Sequence, residues 1–325
     1  MFKKISFLFL LALTLGLLTA CNTMSEGEFG RADVSFATSG QGGTFYVAGS
    51  GIAALTSREI QGLSVTAEVS LGVVENARLM ASGETEMGFL YGSTAYNIFR
   101  GEGEFEDQTY TGLRAVANIH DGALNVVTLQ RDGYTSINDL IGKTISIGPR
   151  GSGSASVAEE FLGAIGLLDQ ITIQYLGFND SASSLRDGHI DGFIIGGTSP
   201  VPALIELEAS HALNILEIEQ EYVDTFLAAY PYHIEYTIPA SAYTSLTEDV
   251  RTVGYTVIWA ARDDVPNWVI REMLRVMFSE EGREYLVTVQ AAFSELSPGI
   301  SRFNFIDLPL HEGAIEYYTE AGLID

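Results

Sequence analysis

Cysteine and basic residues are scarce in this chain. One cysteine occurs among 325 residues, so no disulfide can form within the chain. The 17 lysines and arginines are outnumbered by 42 aspartates and glutamates, and the formal net charge is −25. This charge disfavours nucleic acid as a partner, because nucleic-acid binding depends on basic side chains. An anionic ligand would have to be held by local donors against the charge of the whole chain.

Motifs for catalysis and for metal binding are also missing. The chain has no G-x-S-x-G nucleophile elbow and no G-x-x-x-x-G-K-[ST] phosphate loop. Its five histidines lack the spacing of metal ligands, so no metal site is predicted. They are His120, His189, His211, His233 and His311. We predict that the protein is not an enzyme and that it uses no cofactor.

One long apolar run occurs, at the N-terminus. Residues 5–18 are almost free of polar groups, follow two lysines and precede Leu-Thr-Ala-Cys. The run is too short for a membrane-spanning helix and is typical of a secretory signal. The last four residues resemble a bacterial lipobox, which predicts a signal peptide at 1–21, lipidation of Cys21 and a flexible tether at 22–30. The protein is therefore expected outside the cytoplasm, attached to a membrane by lipid.

Short apolar runs alternate with glycine loops and helical patterns. A strand at 34–38, a glycine loop and a helix at 44–60 begin one series, and a strand at 124–129 begins a second. Such repeats build mostly parallel sheets flanked by helices. We predict an α/β fold of two lobes, each with a central mostly parallel sheet.

The second lobe is predicted to interrupt the first. Lobe 1 is assigned residues 31–125 plus 234–325, and lobe 2 residues 126–233. Extended crossings are expected near 122–128 and 232–238, which gives two hinges. The remainder after Pro239, including residues 249–261, is predicted to be helical.

Two glycine loops at strand-to-helix junctions are the main candidates for a ligand site. Backbone N–H groups at the start of a helix are free to bind anions, and the helix dipole favours negative charge there. The Gly42–Tyr46 loop in lobe 1 and the Arg150–Ser154 loop in lobe 2 could clamp one small carboxylate ligand. The full set of candidate ligand-binding residues is Gly42, Gly43, Thr44, Phe45, Tyr46, Asn76, Tyr91, Ser93, Arg150, Ser152, Gly153, Ser154, Gly197 and Thr198.

A competing motif lies in the first helix. Gly49-Ser50-Gly51-Ile52-Ala53-Ala54 fits G-x-G-x-x-A, and Glu68 follows near the distance of a ribose-binding acid. A dinucleotide fingerprint should begin directly at the end of a strand, whereas these glycines come after the loop. Close helix packing is favoured for them, and a secreted dinucleotide-binding enzyme remains an alternative.

The chain resembles the TAXI branch of solute-binding proteins of tripartite ATP-independent periplasmic (TRAP) transporters, over about residues 33–300. The resemblance rests on residues 37–46, on Glu75-Asn76 followed by Leu79, Gly83 and Gly88, and on residues 137–154, which look like the family's D-L-x-G-K strand and Gly-Ser-Gly loop. One departure is Phe45, where the family commonly has tyrosine.

The resemblance implies the type II periplasmic-binding-protein fold and a ligand such as glutamate, glutamine or 2-oxoglutarate. We therefore expect a monomeric lipoprotein that captures a small carboxylate and delivers it to an integral membrane TRAP permease. A ligand-sensing surface lipoprotein is the other alternative. The sequence motifs do not identify which side chains set ligand specificity.

Overall fold

The structure is a computed structural model and describes residues 30–324. Its ten strands include two that are far longer than the rest. The strands are β1 (Ala32–Ala37), β2 (Leu63–Glu68), β3 (Met87–Tyr91), β4 (Leu113–Leu129), β5 (Thr144–Ser146), β6 (Thr172–Gln174), β7 (Gly192–Gly197), β8 (Leu213–Ile215), β9 (Ile234–Ile238) and β10 (Val250–Arg262).

Helices follow most strands and cover the sheet. The α-helices are α1 (Thr44–Glu59), α2 (Val73–Ser82), α3 (Gly92–Arg100), α4 (Gly153–Ala164), α5 (Phe178–Arg186), α6 (Pro202–Glu208), α7 (Gln220–Ala229), α8 (Asn267–Phe278), α9 (Glu280–Val289), α10 (Ile300–Phe305) and α11 (Glu312–Glu320). None of those in residues 30–324 is long and apolar enough to cross a bilayer. The predicted signal peptide, the lipidation of Cys21 and most of the tether lie outside the described residues.

The strands join in one sheet whose two halves belong to the two lobes. The order is β2-β1-β3-β10-β4-β7-β5-β6, with β8 paired to β4 and β9 paired to β10. Strand β1 pairs in parallel with β2 and β3, and β5 pairs in parallel with β6 and β7. The predicted two-lobed α/β fold is confirmed, with a parallel group of strands in each lobe.

The two long strands connect the lobes. Strands β4 and β10 pair antiparallel from Leu113 opposite Arg262 to Ala123 opposite Gly254, with two register irregularities. At one end β10 also pairs with β3, and at the other end β4 pairs with β7. Each long strand therefore belongs to both lobes, as the predicted pair of hinge crossings requires.

The second crossing lies later in the chain than predicted. Segment 232–238 contains β9, which folds back antiparallel on β10, and Ile238 packs with Tyr243 and Val250 in the core of lobe 2. The prediction of a helix at 249–261 was wrong, because this segment forms β10. The cause is its content of β-branched and aromatic residues, which favour a strand that is buried on both faces.

Aromatic packing fixes the sheet of lobe 1 beneath its first helix. The rings of Phe36 and Phe89 lie 4.8 Å apart in an edge-to-face arrangement, and the ring of Phe45 lies 5.0 Å from that of Phe89. Phe36, Phe89 and Trp259 are fully buried. Because Phe45 belongs to the first turn of α1, this cluster ties the start of that helix to the sheet.

The close approach of β4, β9 and β10 leaves no room for a side chain at Gly254. A Cβ atom there would lie 2.7 Å from the Gly122 carbonyl oxygen and 2.8 Å from Cβ of Tyr236. We expect Gly254→Ala to lower the free energy of unfolding by about 1–3 kcal/mol, measured by urea denaturation. Gly163→Ala is the control, because its Cβ would meet nothing closer than 3.9 Å. Equal stabilities of the two variants would contradict the prediction.

Candidate ligand-binding cleft

A cavity lies between the lobes at the carboxyl ends of the parallel strands. Its volume is about 20 Å³, enough for roughly one or two water molecules. Six junctions of strand and helix contribute to its wall. The lining residues are Ser39, Gly43, Thr44, Phe45, Gly72, Val73, Tyr91, Ser152, Gly153, Ser154, Phe178, Gly196 and Gly197. Ligands of open α/β proteins gather at such strand ends.

The start of α1 supplies backbone donors from lobe 1. Gly43 is the N-cap of this 16-residue helix, and no side chain caps the first turn. Gly42 has a φ of +85°, a backbone conformation that favours glycine. The hydroxyl of Thr44 is buried and has no hydrogen-bond partner among the described residues. Free N–H groups and an unpaired hydroxyl therefore face the cleft region.

The start of α4 supplies the corresponding donors from lobe 2. Ser152 is its N-cap, and the Ser152 side chain accepts a hydrogen bond of 3.1 Å from the backbone N–H of Ala155. The Ser154 hydroxyl accepts one of 2.9 Å from the backbone N–H of Gly196. The Ser154 hydroxyl also donates to the carbonyl oxygen of Gly196 at 3.4 Å, so both serine oxygens have a role in the fold, while the hydroxyl proton of Ser152 can still be donated.

Tyr91, which lines the cavity, stacks on the buried Tyr255. The rings of Tyr91 and Tyr255 lie 3.8 Å apart, and a Cβ atom at Gly196 would lie within 2.8 Å of both hydroxyl oxygens. Burial raises the pKa of both tyrosines, so both phenols stay protonated and can donate hydrogen bonds. The Tyr255 hydroxyl has no hydrogen-bond partner of suitable geometry in the described part of the chain.

Eight of the predicted residues line the cavity. They are Gly43, Thr44, Phe45, Tyr91, Ser152, Gly153, Ser154 and Gly197.

The other six predicted residues lie outside the cavity wall. Asn76 is fully buried and holds the β1 and β3 ends together, since its amide donates to the carbonyl oxygens of Thr38 and Phe89 at 2.8 and 2.9 Å. Gly42 and Tyr46 flank the residues of the first loop that do line the cavity, and Ser93 is buried in the first turn of α3. These four contribute to the shape of the site and do not line it.

Thr198 contacts the hinge. Its hydroxyl lies 2.5 Å from Nδ1 of His120 and donates to the carbonyl oxygen of Asp121 at 3.0 Å. His120 belongs to β4 and is 1% exposed. Thr198 therefore contacts the strand that joins the lobes, and its role in the clamp stays a prediction.

Arg150 lies at the rim of the cleft. Its guanidinium carbon is 3.6 Å from the ring centroid of Tyr175, a cation–π contact. Arg78 of lobe 1 lines the same groove of about 210 Å³, as does Ser152. No charged side chain lines the inner cavity itself, so the cationic groups nearest to it are at this rim.

The candidate set omitted the lining residues Ser39, Gly72, Val73, Phe178 and Gly196, and also Tyr255, which stacks on Tyr91. Ser39 and Gly72 lie within four residues of the ends of β1 and β2, and Gly196 lies at the end of β7, so the ends of the strands were a usable signal. Tyr255 could not be found, because its strand was predicted to be a helix. A Cβ atom at Gly72 would lie 3.2 Å from Cα of Ser152, so the lobes touch at this position.

The glycines of the G-x-G-x-x-A motif lie inside α1. A Cβ atom at Gly49 would lie 2.3 Å from Cγ2 of Thr38, and one at Gly51 would lie 2.7 Å from Cγ1 of Val289. Both glycines therefore serve close packing of the helix on its neighbours. Over residues 30–324, no cluster of three His, Cys, Asp or Glu side chains could hold a metal ion.

The two lobes and the cleft between them identify the fold as that of the two-lobed periplasmic binding proteins. The chain belongs to the NMT1-like family, which it matches over residues 36–322. A protein from Bordetella bronchiseptica RB50 is 16% identical, with a TM-score of 0.56 over 90% of this chain and 98% of that one.

Two further structures share the architecture. One is described as the periplasmic sulfonate-binding protein SsuA of a sulfonate ABC transporter from Methylobacillus flagellatus KT, at 13% identity and a TM-score of 0.51, covering 90% of this chain and 96% of that one. The other, described as an L-cystine ABC transporter from Listeria monocytogenes, has 12% identity and a TM-score of 0.50, covering 82% and 98%. At these identities the likeness shows the fold.

The contact between Gly153 and Tyr91 sets how closely the lobes approach. A Cβ atom at Gly153 would lie 2.3 Å from Cε2 of Tyr91. We expect Gly153→Ala to hold the lobes apart, because the added methyl group occupies the space of the ring. X-ray scattering in solution should show a larger radius of gyration than for the unaltered protein. A Cβ atom at Gly153 would also lie 2.5 Å from Cγ2 of Val73, so Gly153→Ala combined with Tyr91→Ala and Val73→Ala should reverse the increase. An increase that persists would show that these contacts do not limit closure.

His120 makes stability depend on pH. Burial lowers the pKa of its imidazole to about 4, opposed in part by the Asp121 carbonyl and carboxylate. The unfolded chain takes up a proton near pH 6.5 and the folded chain does not, so stability falls as the pH drops from about 6.5 towards 4. Urea unfolding at pH 7 and 4.5 should show His120→Gln losing about 2–3 kcal/mol less than the unaltered protein. Equal losses of stability in His120→Gln and the unaltered protein would show that His120 does not cause the pH dependence.

Proposed function

We propose that this chain is an extracytoplasmic solute-binding protein that captures a small carboxylate ligand between its lobes and delivers it to a membrane permease. One observation carries the proposal. Two glycine-rich helix starts, at Gly43 and at Ser152–Ser154, come from opposite lobes and line the same cavity. A carboxylate placed there would accept hydrogen bonds from both lobes at once, and so would favour the closed arrangement.

The donors of the cavity suit the head group of an anion. They are backbone N–H groups and neutral hydroxyls, which stabilise a carboxylate without a buried cation. The hydroxyl of Thr44, which lines the cavity, is buried without a hydrogen-bond partner in the described chain, and a polar ligand atom would satisfy it. A second charged group of the ligand would extend past Ser152 towards Arg78 and Arg150 at the rim.

Glutamate, glutamine and 2-oxoglutarate are the ligands that we propose. Each combines a carboxylate with a second polar group a few bonds away, which corresponds to a neutral inner cavity and a rim groove where Arg78 and Arg150 stand beside Glu104 and Glu159. The cavity of about 20 Å³ is much smaller than such a ligand, so the lobes would separate to admit it. Sulfonate is the competing head group, because one relative in fold is described as a sulfonate-binding protein.

The permease that we propose is of the TRAP type. The support is the resemblance of residues 37–46 and 137–154 to the TAXI solute-binding proteins, whereas two relatives in fold are described as parts of ABC transporters. Lipid on Cys21 would keep the binding protein near its permease and raise its local concentration there. Lipidation and the monomeric state stay predictions.

The function is tested by ligand-induced stabilisation of the purified protein lacking residues 1–21. A ligand that binds the native state raises its melting temperature. We expect glutamate, glutamine or 2-oxoglutarate to raise it and to give saturable heat in calorimetry. Stabilisation by taurine alone would move the assignment to sulfonates, and stabilisation by NAD alone would favour the dinucleotide-binding enzyme. Stabilisation by none of them would contradict this ligand class.

Removal of one hydroxyl separates ligand binding from folding. Ser152→Ala removes a helix cap and should cost about 1 kcal/mol of folding stability. The same change should weaken binding of the carboxylate by about 1–3 kcal/mol, measured by calorimetry. Ser279→Ala is the matched control, because Ser279 caps α9 through the N–H of Gly282 and does not line the cavity. Equal affinities of the two variants would remove the Ser152 hydroxyl from the site.

A further inference from the structure

A second cavity, which we name the hinge cavity, lies behind the strands that join the lobes. Its volume is about 280 Å³. Four segments of the chain enclose it. They are Gly92, Pro231, Tyr232, His233, Ile234, Thr256, Ile258, Ser301, Phe303 and Ile306. This volume is near the lower end of small-molecule sites, at about 300 Å³, so the cavity can hold a compact organic molecule.

Two pairs of neighbouring residues separate the hinge cavity from the ligand-binding cleft. Tyr91 lines the cleft, while Gly92 lines the hinge cavity. Tyr255 stacks on Tyr91, while Thr256 lines the hinge cavity. Tyr255 and Thr256 are successive residues of β10, so their side chains point to opposite faces of the sheet. The hinge cavity is therefore a separate site on the opposite face of the sheet.

The wall of the hinge cavity combines an apolar surface with a few hydrogen-bonding groups. The apolar part comes from Pro231, Ile234, Ile258, Phe303 and Ile306. The polar part comes from Tyr232, His233, Thr256 and Ser301. A mainly apolar wall with a small number of polar groups is the usual composition of a site for small organic ligands.

Of the polar side chains in the wall, Tyr232 stays uncharged and His233 is already paired with a carboxylate. Burial, followed by the nearby Glu160 carboxylate, raises the pKa of Tyr232, so its phenol stays neutral. His233 is 4% exposed, and its Nε2 lies 3.1 Å from the same carboxylate. Among the described lining residues none is lysine or arginine, and a carboxylate stands behind the wall. An anionic ligand would lose its hydration without gaining a cation.

Gly92 borders open space in the hinge cavity. A Cβ atom there would meet nothing closer than the Thr256 Cβ at 3.9 Å. Gly92 is also the first residue of the nine-residue helix α3, which has no side-chain cap. Its neighbourhood therefore offers backbone N–H groups to a hydrogen-bond acceptor of the ligand.

We propose that the hinge cavity is a second binding site, for an uncharged aromatic or alicyclic molecule that carries one hydroxyl or carbonyl group. The ring packs on Ile258 and Phe303, and the polar group bonds to the backbone N–H groups near Gly92. This site is independent of the carboxylate site in the cleft, because the two cavities share no lining residue.

The probes are benzyl alcohol and cyclohexanol, with benzoate as the charged comparison. Binding to the protein lacking residues 1–21 is followed by ligand-detected saturation-transfer NMR and by titration. We expect saturable binding of the two alcohols and weaker binding of benzoate. Absence of saturable binding by either alcohol would overturn the site, and tighter binding of benzoate would overturn the proposed ligand class.

Four variants locate the bound probe. Ser301 is exposed at the rim, and Ser301→Trp should block the cavity and raise the dissociation constant of benzyl alcohol about tenfold. Gly92→Ala, which reduces the free volume by one methyl group, should raise it about two- to fivefold. Gly163→Ala in α4 and Ser152→Ala in the cleft should leave it unchanged.

Melting curves of each variant confirm that it is folded before the titrations are compared. Unchanged affinity in both Ser301→Trp and Gly92→Ala would overturn the site, as would weaker binding in Ser152→Ala, which would place the probe in the cleft. None of these outcomes depends on whether the cleft binds a carboxylate.

Discussion

The antiparallel pairing of β4 with β10 is the constraint on which the rest of the structure depends. Both strands run through the two lobes, so the sheet is continuous from β2 to β6. Tyr255 of β10 stacks on Tyr91, which lines the cleft, and Thr256 of β10 lines the hinge cavity. Any movement between the lobes must bend or twist these two strands, and the register irregularities at Val257/Ile258 and Trp259/Ala260 lie where β10 is paired on both sides.

Glycines at the contact surfaces let the backbone of one lobe come close to residues of the other lobe. Gly43 lies against Phe178, Gly72 against Ser152 and Gly153 against Tyr91, and each contact crosses between elements of different lobes. Backbone N–H groups are brought close to the cavity only because these positions carry no Cβ atom. These glycines therefore account both for the backbone donors, which suit a carboxylate, and for the close contact between the lobes.

The fold was predictable from the sequence because its signals are local. Glycine loops after apolar runs identified the starts of α1 and α4, and these two junctions contribute seven of the residues that line the cavity. Strand β10 was not predictable in the same way. Its apolar run is long and dense, and such runs give no periodicity that separates a buried strand from a buried helix. The misplaced crossing and the missed Tyr255 both follow from that ambiguity, whereas the role of Asn76 required knowing which carbonyl groups surround it.

The small volume of the inner cavity has a consequence for the lifetime of a complex. The free space beside Gly72, Gly153 and Tyr91 is about 20 Å³, which is far less than the volume of a proposed ligand, so no ligand could pass through this arrangement of the lobes. Escape would then require the lobes to separate, and the dissociation rate could not exceed the rate at which β4 and β10 allow the lobes to open. The residence time of the ligand would then depend on how readily β4 and β10 bend. Substitutions in the hinge that never touch the ligand would change it.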